Sequence, residues 1–293
     1  MNHPIDHLVV CVRDLERAGA FYERLGFTLT PRARHPFGTA NRLVQFKGRN
    51  FLELLSVADP RQIPQARKGQ FSFGAFNAAY LERTEGMSML VFASSDARRD
   101  HAEFVQRDLD TYEPFDFSRT ARLPDGQEVT VAFSLAFVTH AQMPNAAFFV
   151  CQQHAPQHFW KPEYQRHANG ADAIKRVVMA ADRPAELAEF FSRLTEPPAV
   201  TGGGEALRIA LPRGEITVLT PAHFRADYPT SGSFGNGEGP RFAAFTIGIE
   251  DLSAVEALLQ ERGIPHRRKD GRLQISAEHA YGVVIEFETR ATA

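Results

Sequence analysis

The stretch IDHLVVCVRDLERAGAFYERLGF, residues 5–27, decides how the rest of the chain is read. Its first six residues have strand character, and Asp14 leads from there into a helix. Leu15, Ala18, Phe21, Tyr22 and Leu25 then recur at helical spacing, and Gly26 stops the helix. Strands expected over 27–33 and 42–57 complete a βαβββ unit.

Working outward, the same order of events returns three times. MSMLVFASSD (87–96) leads into ARRDHAEFVQRDL (97–109), a turn at Pro124-Asp125-Gly126, and the strands EVTVAFSLAFV (128–138) and AAFFVCQQH (146–154). IKRVVMAADRP (174–184) opens a third unit whose helix, AELAEFFSRL, places Phe190 and Phe191 where Phe21 and Tyr22 stand in the first. FAAFTIGIEDL (242–252) opens a fourth, with helix SAVEALLQERGI ending at Gly263 and last strand YGVVIEFETR (281–290). The expected class is α+β, four βαβββ units in two pairs. HAPQHFWKPEYQRHANGADA (154–173) reads as a linker, which divides the chain into 1–170 and 171–293. HFRADYPTSGSFGNGEGP (223–240) reads either as a loop over a cup or as a passive connector.

Two polar side chains stand out against this apolar pattern. Strand alternation sets His7 opposite to Leu8 and Val10, and Glu53 in FLELLSV (51–57) opposite to Leu52 and Leu54. Both then face one concavity. A single strand histidine serves equally as a hydrogen-bonded core residue, but an unpaired carboxylate between leucines is costly to bury and points to a ligand.

Composition narrows the partners. The 293 residues are 43% hydrophobic and 23% charged with a formal net charge of -2, enough apolar material for a large core and no basic surface suited to nucleic acid. No apolar run reaches membrane-spanning length, so neither secretion nor membrane insertion is expected. Cys11 and Cys151, the only cysteines, lie in apolar runs and suit buried thiols of a reducing cytoplasm. Twenty-four phenylalanines suggest an aromatic interior. A small-molecule substrate is the expected partner.

The paired units, the His of IDHLVV and the Glu of FLELLSV resemble the vicinal oxygen chelate superfamily of glyoxalases, extradiol dioxygenases and bleomycin-binding proteins. RHPFGTANRLVQF (34–46) further resembles a glyoxalase-like subgroup. The resemblance implies two glyoxalase-like domains whose curved mixed sheets form cups, and a divalent metal (Fe, Mn, Zn or Ni) held by His7 and Glu53. The second unit offers Met89, beside Ser88, and Cys151 or Gln152 at the remaining ligand positions, so a third ligand would come from His154, His140 or His35. In the second half, Arg176 replaces the histidine and Ala244 that of the fourth unit, while Glu286 keeps its place near Glu288. A guanidinium binds no cation, so that cup is expected to be metal-free. Arg176 would pair with Glu286 or clamp a substrate carboxylate. His35, Thr39 and Asn41 are suited to orient an oxygenated small molecule, with His35 as a base, while Gly38 permits the turn.

The resulting function is a metal-dependent lyase, isomerase or dioxygenase acting on a small carbonyl or dihydroxy-aromatic compound, the oxygenase needing a two-His-one-carboxylate set that the sequence does not complete. The alternative is a binding protein of the same fold; an interaction module without ligand is a third. Two halves of two units each complete the arrangement within one chain, so monomer and homodimer are both compatible.

Overall fold

Strand-forming and helix-forming segments alternate along the chain as the periodicity dictates. The computed structural model describes residues 3–65, 67–122, 126–195, 199–228 and 239–290. In the first unit, β1 (Ile5–Cys11) is followed by α1 (Leu15–Arg24), β2 (Ala33–Arg34), β3 (Thr39–Gln45) and β4 (Phe51–Val57). The second contains β5 (Gly86–Ser94), α3 (Ala97–Gln106), β6 (Asp110–Thr111), β7 (Phe115–Arg122), β8 (Glu128–Thr139) and β9 (Ala147–Gln153), preceded by α2 (Phe73–Arg83). After a short α4 (Pro156–Phe159), the third has β10 (Ala173–Ala180), α5 (Ala188–Leu194), β11 (Val200–Gly203), β12 (Ala206–Ala210) and β13 (Glu215–Leu219). Following α6 (Pro221–Asp227), the fourth has β14 (Arg241–Ile249), α7 (Leu252–Glu261), β15 (Arg267–Lys269), β16 (Arg272–Ile275) and β17 (Val284–Thr289).

The helices of the first, second and fourth units start on aspartate caps. Asp14 accepts hydrogen bonds from the N–H groups of Glu16 and Arg17, and Asp251 does the same for Ser253 and Ala254. Gly26 and Gly263 follow the helices at positive φ of 89° and 61°, the left-handed region in which a side chain is strained.

Two mixed sheets result. One runs β2-β3-β4-β1-β5-β9-β8-β6, with β7 also paired to β8, and the other runs β11-β12-β13-β10-β14-β17-β16-β15. In each, the first strands of two units lie side by side and antiparallel, β1 with β5 and β10 with β14. Each is also parallel to the last strand of its own unit. This is the paired-unit architecture expected from the sequence.

Alternation divides every strand between two environments. Leu8, Val10, Leu52 and Leu54 belong to an extended core that also holds Phe148, Phe191 and Phe287 and so spans both sheets. Val9, Cys11, Phe51 and Leu55 face a second cluster inside the first sheet's concavity. A third, smaller cluster fills the concavity of the second sheet, where Phe224 and Tyr228 pack on Val178 and Ala244.

One expectation needs correction, and two segments are refined. The strand predicted over 27–33 is only Ala33–Arg34, because Pro31 has no N–H to donate. Residues 154–173 are no loose connector: Gln165 donates to the Phe46 carbonyl at 3.0 Å, and Asn169 to the Leu25 carbonyl at 2.8 Å. The hairpin of β7 and β8 forms, but Pro124 and Asp125 of its expected turn lie outside the described residues, as do residues 229–238 of the segment at 223–240.

Candidate functional site

β1 and β4 lie side by side and parallel, with His7 opposite Phe51 and Val9 opposite Glu53. Positions two apart share a face, so His7 and Glu53 both enter the concavity. His7 Nε2 stands 3.7 Å from Glu53 Oε2. The imidazole is locked from two sides: its ring stacks on Phe51 with centroids 4.3 Å apart, and Nδ1 bonds Asp6 Oδ2 at 2.7 Å. With Nδ1 engaged by the Asp6 carboxylate, Nε2 is the ring nitrogen turned toward Glu53.

The hairpin of β2 and β3 completes the polar cluster. His35 donates its backbone N–H to the Thr39 carbonyl at 2.8 Å, and its Nδ1 lies 2.8 Å from Thr39 Oγ1. Asn41 donates Nδ2–H to Glu53 Oε1 at 2.6 Å and stands 3.3 Å from His35 Nε2, itself 3.8 Å from the same carboxylate oxygen. Asn41 Oδ1 is buried without a hydrogen-bond partner, an acceptor turned to no protein donor.

Burial sets the electrostatics. Removal from water pushes the Glu53 carboxyl above its usual range, against the opposing pull of His7 and the Asn41 hydrogen bond. Desolvation, with Arg119 and His7 adding repulsion, lowers His35 to about 3, so His35 is a neutral imidazole at any ordinary pH. The proton acceptor expected at His35 is therefore misplaced, because a base of so low a pKa accepts protons poorly at neutral pH. Glu53 departs from its ordinary value in the opposite direction, upward, for the same reason of burial.

Around this cluster lies a cavity of about 480 Å³ of atom-free space, its open mouth included. Phe37, Phe73, Phe117, Phe133, Phe149 and Phe159 supply most of its wall. Such a wall favours a flat, apolar body, and the cluster in its floor offers polar contacts for oxygen.

Two site residues expected from the sequence lie elsewhere. His154 is on the far face of the sheet, its Nε2 2.8 Å from Ser134 Oγ, which in turn bonds Asp116. His154 directly follows β9, three residues beyond Cys151, which lines the cavity, and an odd step reverses the face. His140 likewise packs on Phe190 and takes no part in the cavity. Arg176 stands in the second sheet, as expected, and makes the expected pairing with Glu286, at 3.4 Å, beside bonds to Glu215 at 2.6 Å and Glu288 at 3.4 Å. Glu286 is also held by Thr246 at 2.8 Å and Gln274 at 2.7 Å. That network sets the Arg176 guanidinium among three carboxylates of the second sheet.

The donor set can be tested against the metal that the resemblance implies. His7 Nε2 and Glu53 Oε2 have the separation and, through Asp6, the outer support of a ligand pair. The two remaining positions hold Met89, which is apolar and buried, and Cys151, whose thiol burial keeps protonated. Among the described residues no three His, Cys, Asp or Glu side chains are grouped to hold a metal ion. Of the three histidines expected to replace them, only His35 reaches the pair, its Nε2 3.8 Å from Glu53 Oε1.

Other contributors escaped the sequence reading. Asp6 orients His7, and Phe159, from the supposed linker, walls the cavity. Phe73 comes from α2, a helix in a segment with no strong apolar period. Arg119 on β7 lines the cavity as well, on the same face as Phe117; the alternation Phe115, Phe117, Arg119 is the signal that could have found it.

Comparison with known proteins agrees with this architecture. A family model described as a glyoxalase-like domain matches residues 5–195. No curated protein matches the chain. Among solved structures, a hypothetical protein from Staphylococcus aureus is similar at 12% identity and a TM-score of 0.69, covering 98% of this chain and 99% of that one. A mutant 4-hydroxymandelate synthase from Streptomyces coelicolor is similar at 13% identity and 0.59, over 100% of this chain and 94% of the other. A xylose isomerase-like TIM barrel/4-hydroxyphenylpyruvate dioxygenase fusion protein is similar at 12% and 0.57, over 100% of this chain and 50% of that one. At such identities the likeness is one of fold. With the family model covering well over half of its length, the chain belongs to the glyoxalase-like domain family, within the vicinal oxygen chelate superfamily.

Proposed function

We propose that the first cup is the active site of an enzyme that moves a proton at a carbon next to a carbonyl in a small aromatic or oxygenated compound, an isomerase or lyase reaction. The observation that carries this reading is Glu53: a buried carboxyl with raised pKa, set between two imidazoles at 3.7 and 3.8 Å in an aromatic cavity. In this reading Glu53 takes the proton from carbon and returns it. Asn41 orients the carboxyl and presents its free Oδ1 to a donor on the ligand. His7, held by Asp6, and neutral His35, held by Thr39, adjoin the two carboxyl oxygens, and the aromatic wall excludes water.

A second reading has a divalent ion gripped by His7 and Glu53, which would polarise the substrate oxygens. It is favoured by the Asp6–His7–Glu53 alignment and opposed by the apolar Met89 and the protonated Cys151 at the remaining ligand positions. The test is carbon-bound hydrogen exchange in D2O with acetophenone and phenylacetaldehyde as probes, followed by NMR, alongside metal analysis of protein purified without chelator. Glu53→Gln should slow exchange by about 100-fold or more, the usual span of acid–base catalysis. Exchange at the background rate with wild-type protein, despite binding of the probes, leaves a binding protein of the same fold. Stoichiometric metal lost on His7→Ala selects the second reading.

A further inference from the structure

We infer that Arg119 anchors an anionic group of the ligand, so that the cup selects small aromatic or carbonyl compounds carrying a carboxylate or phosphate. This deepens the proposed function and rests on the cup being a ligand site.

The argument begins with an orphaned cation. Arg119 Nε is buried without a hydrogen-bond partner, and its guanidinium joins no ion pair among the described residues. A guanidinium carries five donors and cannot shed its charge, so an unanswered one in a partly buried position is costly. A purely structural role as counter-ion to Glu53 would bring the two into contact. They instead line one cavity with no ion pair between them, so the guanidinium is left for another anion to answer.

The second observation is independent of the first. Leu43, Arg119 and Phe159 are shared between the aromatic cavity and a wider groove outside it. Arg32, Arg34 and Lys161 also line that groove, with Glu128 as its single described carboxylate. Arg32 is partly answered by Glu16 at 3.4 Å, whereas Arg34 and Lys161 form no ion pair among the described residues. The field at the cavity mouth is therefore positive, and it attracts and orients anions. A ligand entering ring first would sit among the phenylalanines with its charged end at Arg119. Guanidinium geometry suits the two parallel oxygens of a carboxylate or a phosphate.

Trp160, the single tryptophan, reports on occupancy, since its ring lies 5.0 Å from Phe159 and 5.9 Å from Phe51, both lining the cavity. Its fluorescence should be titrated with benzoate and phenyl phosphate, and with the neutral benzamide and benzyl alcohol. The anions should bind about tenfold or more tightly than the neutral probes, an advantage that weakens as salt is raised. The tighter of the two anions identifies carboxylate or phosphate as the preferred group. Arg119→Gln should abolish the preference while neutral affinity stays within about twofold, and Arg119→Lys should keep part of it. Unchanged thermal melting of both variants shows that the fold is intact. If Arg119→Gln melts early, Arg34→Gln with the salt dependence of the native protein gives the same reading. Equal affinity for benzoate and benzamide, or an anion preference that survives Arg119→Gln, overturns the anchor and leaves the cup reading standing. Saturable binding by none of the four probes overturns both.

Discussion

Glu53 and His35 sit 3.8 Å apart and depart from their ordinary pKa values in opposite directions, both because they are buried. Each leaves a mark on stability. His35 is neutral in the fold down to about pH 3, so its contribution is complete above the unfolded histidine value near 6.5 and is lost as pH falls through that window. Replacing His35 with Asn should flatten the acid limb of the stability curve between about pH 6.5 and 3, read by urea titration across pH. Glu53 behaves in the other direction. Its folded pKa lies above the unfolded one, so the protonated form favours folding, and that advantage is lost as pH rises from the unfolded value through the folded one. Glu53→Gln, which keeps an acceptor for Asn41, should equal or exceed the native protein in stability at pH 7 to 8. A loss of stability there would show that the ionised carboxylate is fully compensated.

The hairpin that carries His35 depends on one residue of its turn. Gly38 adopts φ of +85°, and a Cβ built there would lie 2.6 Å from the Asp59 carbonyl oxygen. Its own carbonyl accepts the N–H groups of Ala58 and Asp59 at 2.9 and 3.0 Å, which ties the turn to the end of β4. Gly38→Ala should cost about 1–3 kcal/mol, measured by denaturant unfolding, and should weaken probe binding through displacement of His35 and Asn41. The helix α2 has a comparable positional role. Asn77, in its middle, accepts from Ser88 Oγ at 2.7 Å, and Tyr80 donates to the Met87 carbonyl at 3.2 Å, so the helix is bolted to β5 inside the concavity. Its Phe73 thereby becomes a fixed part of the cavity wall.

At the scale of the whole molecule, the two sheets share one core. Phe27 stacks on Phe287 with centroids 6.0 Å apart, and Phe148 meets Phe190 and Phe242 at 5.2 and 5.5 Å. Residues 1–170 and 171–293 should accordingly unfold together, and calorimetry should show a single transition. Phe287→Ala, though far in sequence from the cup, should lower stability by about 3–5 kcal/mol and abolish no contact of the site itself.

Much of this was legible in the residues alone. The four units, the helix ends at Gly26 and Gly263, and the inward aim of His7 and Glu53 follow from periods of 3.6 and 2 and from local backbone preferences, which need no knowledge of what lies opposite. The position of His154, one step off the inward face, followed the same rule and was open to the same reading. What the cup contains beyond the pair was decided by tertiary structure: Arg119 from β7, Phe73 from α2 and Phe159 from the segment after β9. Those partners come together across long stretches of chain, and the burial that shifts Glu53 and His35 exists only once they have closed around them. A side chain's face is a local property, but its neighbours and its exposure to water belong to the fold.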